Sequence, residues 1–211
     1  MQIAIVVYDR FTALDAVGPY EILSRLPGAE TVFVAERTGP VRTETGMLAV
    51  VADRSLSEVP HPDVVVVPGG PGQHALMEHR PLLDWLRAVD ATSTWTTSVC
   101  TGSLLLAAAG FLEGRRATSH WLALDQLAKF GAEPVEERVV FDGKYVTAAG
   151  VSAGIDMALT LTGRVAGDKH AQAVQLGVEY DPQPPYAAGS PSKAPAEVIE
   201  ALRARSRFIL T

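Results

Sequence analysis

Apolar residues fall along this chain in short unbroken runs that alternate with helical spacings. IAIVVY (Ile3–Tyr8) and the VVVV of DVVVVPGGPG (Asp63–Gly72) are continuous apolar runs, the pattern of strands covered on both faces. TVFVA (Thr31–Ala35) and Trp95–Val99, rich in Thr, Val and Trp, read as further strands. Helices are expected over Asp15–Leu26, closed by Pro27-Gly28, and over Pro81–Ala91. Leu104–Ala109 also favours helix, and another is expected over Trp121–Phe130, closed by Gly131. Val41–Ala52, with Gly46 between two strand-like runs, suggests a hairpin, and Arg138–Thr147 is a second one turning at Asp142-Gly143. AGVSAGIDMALTLTGRVAG (Ala149–Gly167) makes a further strand-to-helix passage, and helical periodicity resumes over Lys169–Glu179. DPQPPYAAGSPSKAP (Asp181–Pro195) is an extended Pro-rich loop before a last helix over Ala196–Phe208.

Strands alternating with helices predict an α/β fold with a mostly parallel central sheet and helices on both faces. The chain of 211 residues is long enough for one domain spanning 1–211, with the stretch over about 181–211 as an arm and helix. One cysteine excludes an internal disulfide framework and fits a reducing compartment. No basic segment precedes the apolar run at Met1–Tyr8, and Leu104–Leu112 falls well short of a membrane span. A net charge of −6, with Arg and Lys scattered, argues against nucleic-acid binding. A cytoplasmic protein without nucleic-acid or membrane partners is the expectation.

The single cysteine, Cys100, lies between a strand and a helix, so Cys100-Thr101-Gly102-Ser103 must turn sharply. That is the setting of a nucleophile elbow, and the positive end of the following helix should lower the thiol's pKa. A buried structural cysteine is the competing reading. In such sheets the chemistry sits outside the carboxyl ends of the strands. Four loops should therefore meet: RFTALDAVGPYE (Arg10–Glu21), PGGPGQ (Pro68–Gln73), the Cys100 turn, and AGVSAGID (Ala149–Asp156), which carries Ser152.

Amides of Gly69, Gly70 and Thr101 are candidates for an oxyanion hole or a water site, or the glycines merely allow a tight turn. Asp15 in LDAVGP has apolar flanks, so it is either a partly buried acid with a raised pKa or an acidic residue near a helix N-terminus. Glu21, on the same helix, is a second carboxylate candidate, and His120 in RRATSHWLAL is a pocket candidate with no local feature to fix its role. HxH, HExxH, Cys/His clusters, GxGxxG and Walker A patterns are all absent, so neither a metal nor a nucleotide cofactor is expected.

Together these residues resemble the DJ-1/PfpI superfamily over nearly the whole chain. VVVVPGGPG is similar to its strand and Pro-Gly-Gly loop, and TSVCTGSLLLAAAGFLEGRRATSHW to its elbow and following segment. LDAVGPYEIL, the Cys-Thr-Gly elbow, AGVSAGIDMAL and EYDPQPPYAAGSPSKAP are most similar to the isonitrile hydratase branch. The resemblance implies a flavodoxin-like three-layer sandwich, a homodimer, no cofactor and a small isonitrile substrate. It also implies Cys100 as nucleophile, Asp15 as proton donor and base, Thr101 beside them, and amides of Gly70 and Thr101 around a water. The reaction would pass through a cysteine thioimidate to an N-substituted formamide. Thr101 stands where peptidase-like relatives carry histidine, which disfavours a Cys/His/acid triad. A ligand- or redox-sensing module similar to AraC-type sensor domains, and a glyoxalase- or deglycase-like hydrolase, are the alternatives.

Overall fold

The computed structural model describes residues 1–206. Its strands are β1 (Gln2–Val6), β2 (Glu30–Ala35), β3 (Gly39–Arg42), β4 (Ala49–Ala52), β5 (Arg54–Ser55), β6 (Val64–Val67), β7 (Trp95–Val99), β8 (Arg116–Ala117), β9 (Glu133–Pro134), β10 (Val139–Asp142) and β11 (Tyr145–Ala148). Its helices are α1 (Ala13–Leu23), α2 (Gln73–Leu76), α3 (Arg80–Asp90), α4 (Gly102–Ala108), α5 (Ala153–Ala166), α6 (Asp168–Gly177) and α7 (Ala196–Ala204).

Seven strands form the central sheet in the order β10-β11-β7-β6-β1-β2-β5. All neighbours run parallel except β10, which returns antiparallel to β11 through the Asp142-Gly143 turn. The apolar runs occupy the middle: every residue of β6 and four of the five in β1 are buried. Helices cover both faces, giving the expected α/β three-layer fold. On one side α1 packs on α5 and α5 on α6; on the other α3, α4 and α2 pack together. The hairpin β3–β4 forms a separate two-stranded ribbon.

The segment after His120 differs from the expected helix. Residues Leu124–Phe130 form a 3₁₀ helix, closed by Gly131 at φ +75°. Ala123 N–H donates to His120 O and Gln126 N–H to Ala123 O, so the bonds here span three residues rather than four. The last helix ends at Ala204 with no buried side chain, and Phe208 lies outside the described residues. No described helix is long and apolar enough to cross a membrane.

β6 and β7 place the Pro-Gly-Gly loop and the cysteine side by side, and this closeness restricts Gly102. A Cβ there would lie 2.1 Å from Val67 O and 2.8 Å from Pro68 O, both backbone atoms that cannot yield without moving the strand. Gly102→Ala should therefore lower the unfolding free energy by about 3 kcal/mol or more, as an overpacked core does. Urea unfolding of the purified variant checks this.

Candidate active site

Beyond Val99 the chain turns through Cys100, whose φ is +56°. A residue with a Cβ pays on the order of 1–3 kcal/mol for a left-handed conformation, so the neighbours must enforce it. Cys100 N–H divides between Ala148 O at 3.1 Å and Ala149 O at 2.8 Å. Its carbonyl accepts the hydroxyls of Ser103 and Ser119, each at 3.1 Å. Strand end, helix start and the Thr118–His120 segment thus hold one peptide unit from three directions. The expected elbow is present.

Asp15 comes to this point from the first turn of α1. It is fully buried, and its Oδ2 accepts Gly69 N–H at 2.9 Å. Its Oδ1 is also buried and has no hydrogen-bond partner. Gly69 has to be glycine: a Cβ would sit 2.5 Å from Thr101 N and 3.0 Å from Asp15 Oδ2. Thr12 N–H donates to Gly69 O at 2.9 Å, and Asp15 N–H to Thr12 O at 3.1 Å, which closes a ring around the carboxylate.

The glycine-loop amides do other work than the sequence suggested. Each N–H has one proton to donate. That of Gly69 is taken by Asp15 and that of Gly70 by Thr101 Oγ1 at 3.0 Å. They orient the two side chains beside the sulfur. Thr101 in turn favours a charged sulfur through both its amide and its hydroxyl.

The proton balance corrects a second expectation. The Cys100 thiol is pushed well above its ordinary pKa, first by burial and next by the negative charge of Asp15. The pull of Thr101 does not reverse this. A helix terminus contributes about 0.3–1 kcal/mol, whereas full burial moves a pKa by up to about 3–5 units. α4 has only seven residues, and Cys100 is completely shielded from solvent. Burial wins, and the charged form of the sulfur is disfavoured. Asp15 is raised from 3.8 to about 7 by burial, with Gly69 and Cys100 holding it down and Glu44 adding to the rise.

The other candidates are scattered. His120 is half-buried, its Nδ1 accepts Leu122 N–H at 3.2 Å, and burial lowers its pKa to about 4, so it is a neutral imidazole. It lies next to Gly150, in the loop that holds Cys100 N–H. Glu21 is exposed and pairs with Arg25 at 2.6 Å on the surface of α1, away from the buried pair. Ser152 is exposed too, its Oγ accepting from Arg138 Nη2 at 3.2 Å. Neither joins the buried thiol and acid. Among the described residues no group of three or more His, Cys, Asp and Glu is placed to hold a metal ion.

The DJ-1/PfpI family model matches residues 1–163. The chain belongs to the DJ-1/PfpI family. It is 44% identical over 206 residues to the isonitrile hydratase of Pseudomonas putida, covering 98% of this chain and 90% of that one. It superposes on a crystal structure of a ThiJ/PfpI family protein from Pseudomonas syringae with a TM-score of 0.94. That pair shares 41% identity, covering 97% of this chain and 85% of the other. An HTH-type transcriptional regulator of Pseudomonas aeruginosa is 35% identical over 145 residues, covering 67% of this chain and 42% of the regulator.

Three residues of this DJ-1/PfpI site were not singled out from the sequence. Tyr8, buried at the end of the first apolar run, donates its hydroxyl to Pro68 O at 2.8 Å. Its pKa is raised first by burial and next by the charge of Asp15. A phenol closing a strand that is otherwise aliphatic was the available signal. Ser119, within ATSHW, anchors the Cys100 carbonyl. Glu44 acts on Asp15 from the β3–β4 hairpin, and no local pattern in TETGM marks it.

The raised pKa of Asp15 has a cost in stability. A carboxyl whose folded pKa exceeds its unfolded value binds a proton more tightly when folded. Stability is therefore fully retained below about pH 4 and lost progressively as pH rises toward 7. A rise from 3.8 to about 7 corresponds to a penalty of up to about 4 kcal/mol at pH 8. Asp15→Asn removes the ionisation, so it should be more stable than the parent protein at pH 8, with the advantage shrinking toward pH 4. Urea midpoints across that range measure the difference.

Proposed function

We propose that this protein is an isonitrile hydratase-like enzyme, a lyase that adds water to isonitriles and releases N-substituted formamides. The observation that carries the reading is one buried thiol set against one buried carboxylate with a pKa near 7 and an unpartnered oxygen. The likeness to the Pseudomonas putida hydratase over the full site region supports it.

An isonitrile presents a bare carbon at the end of a linear group, with no hydrogen-bond donor to satisfy. A slim, apolar reacting end suits a dry site. Because the charged form of the sulfur is disfavoured, attack requires a base. Asp15 accepts the thiol proton through Oδ1 as sulfur bonds to the isonitrile carbon, and Thr101 supports the charge that develops on sulfur. Asp15 then returns that proton to the carbon, giving a thioimidate, R–N=CH–S–Cys100. Water adds to this carbon, with the proton passing through Asp15 to nitrogen. The resulting R–NH–CH(OH)–S–Cys100 collapses to R–NH–CHO, and the hydroxyl proton returns to sulfur. The thiol and the acid are regenerated, and the net change is addition of one water.

An acid with a pKa near 7 is suited to both roles, since proton transfer is most effective when the pKa lies near the working pH. Covalent capture splits one difficult hydration into two easier steps. A sensing role without turnover is the second reading, and the likeness to the Pseudomonas aeruginosa regulator favours it.

Incubation with cyclohexyl and aryl isonitriles, followed by NMR, should show formamide accumulating. Cys100→Ala should abolish it, and Asp15→Asn should lower turnover by about 100-fold or more, the scale of a lost general acid–base. Absence of formamide with every isonitrile tried would refute the hydratase reading and leave the sensor. Full activity in Asp15→Asn would refute the proton route alone.

A further inference from the structure

The β3–β4 hairpin is joined to the turn that sets Asp15. Arg10 N–H donates to Arg42 O at 2.8 Å, Phe11 and Thr43 form a parallel bridge, and Glu44 N–H donates to Phe11 O at 2.9 Å. The hairpin edge thus extends over residues 10–12 as an extra strand would. Arg10 itself is held at φ +63°, and Gly70 is packed so closely that a Cβ would meet Thr12 N at 2.6 Å. This turn has little freedom, and the hairpin is one of its two walls.

One side chain crosses that contact. The Thr12 hydroxyl donates to Glu44 Oε1 at 3.1 Å. Thr12 is the residue whose amide grips Gly69 O and whose carbonyl accepts the amide of Asp15. A second carboxylate is therefore tied, through Thr12, to the ring of hydrogen bonds around the buried acid. We propose that Glu44 is a positioning residue for the chemistry at Cys100: it anchors Thr12 and brings a second carboxylate to the ring of hydrogen bonds around Asp15.

The charged and titratable groups around Asp15 are few. Cys100 acts on it from the elbow, Tyr8 from the segment just after β1 and Glu44 from the hairpin. Glu21, farther along α1, pairs with Arg25 just beyond its end. On α5, which packs against α1, Asp156 is engaged by Arg138, and Arg164 lies over the Phe141 ring. Glu44 is thus the acidic group outside the catalytic pair that acts on Asp15. Its effect has a definite sign. A neighbouring negative charge makes ionisation harder, so removing it lets Asp15 act as a base at lower pH.

The inference rests on Asp15 serving as the base for Cys100, and it is testable without any isonitrile. Cys100 is the only cysteine, so iodoacetamide labelling followed by intact mass reports on it alone. Because the sulfur is shielded, each rate is divided by that of the same variant at pH 9, which cancels differences in how readily the site opens. Labelling should climb as Asp15 ionises. In Glu44→Gln, which keeps a hydrogen-bond acceptor for Thr12 but loses the charge, the rise should begin at lower pH, with labelling at pH 6 faster by about twofold or more. Glu44→Asp, which keeps the charge, should follow the parent profile more closely than Glu44→Gln does. Thr12→Val, which removes the hydroxyl that donates to Glu44, should move the rise in the same direction as Glu44→Gln. A Glu44→Gln profile that superimposes on the parent's overturns the proposal, and so do equal displacements in Glu44→Gln and Glu44→Asp, which would mark a structural role. Formamide assays on the same samples separate the two claims. A displaced labelling profile without turnover leaves Glu44 in place and removes the hydratase reading, whereas turnover with an unmoved profile does the reverse.

Discussion

The forked hydrogen bond from Cys100 N–H to the carbonyls of Ala148 and Ala149 fixes the geometry on which the site depends. A cysteine at φ +56° would relax if its peptide were free, and the sulfur would leave the neighbourhood of Asp15 and Thr101. The acceptors are the last residue of β11, the partner of β7 in the sheet, and the residue after it, so the sheet edge itself holds the strain. Ser103 and Ser119 secure the other side of the same residue. Each component is ordinary, but together they leave the backbone no lower-energy alternative without breaking several bonds at once.

Around this point the protein has used its polar groups to arrange side chains and has left the reacting atoms dry. Gly69 and Gly70 give their amides to Asp15 and Thr101, and the thiol and acid are both fully buried. A low-polarity site keeps the sulfur neutral until a proton acceptor is engaged. It also lifts the acid into the range where it can take a proton and give it back. The stability cost of Asp15 at neutral pH and its use as a proton carrier are two consequences of one burial.

Much of the fold was legible because its central strands are apolar on both faces, and only a parallel sheet covered on two sides accommodates such runs. The Cys-Thr-Gly turn between a strand and a helix likewise marked the elbow. What sequence could not show was competition for hydrogen bonds. Gly69 and Gly70 looked like donors to a ligand, but whether an amide is free depends on what three-dimensional packing brings to it. The same holds for the thiol: the helix dipole was visible in the sequence, whereas the larger effect of burial depends on loops far apart in the chain. Glu21 shared a helix with Asp15, but one faces solvent and the other the interior. Glu44 was invisible for the opposite reason, since 29 positions in the chain separate it from Asp15 and only the folded hairpin brings it near. The 3₁₀ segment at Leu124–Phe130 differs from an α-helix only in bond span, which residue composition scarcely encodes.

The central claim is that burial keeps Cys100 protonated and that its proton moves only when Asp15 takes it. Thiolate absorbance near 240 nm, measured as the difference between the parent protein and Cys100→Ala across pH, reports the charge on the single sulfur. The account predicts no thiolate signal at pH 7, with ionisation appearing only well into the alkaline range. A thiolate signal already at its plateau near pH 6 would contradict it and would make the helix terminus, not the carboxylate, the source of the cysteine's reactivity.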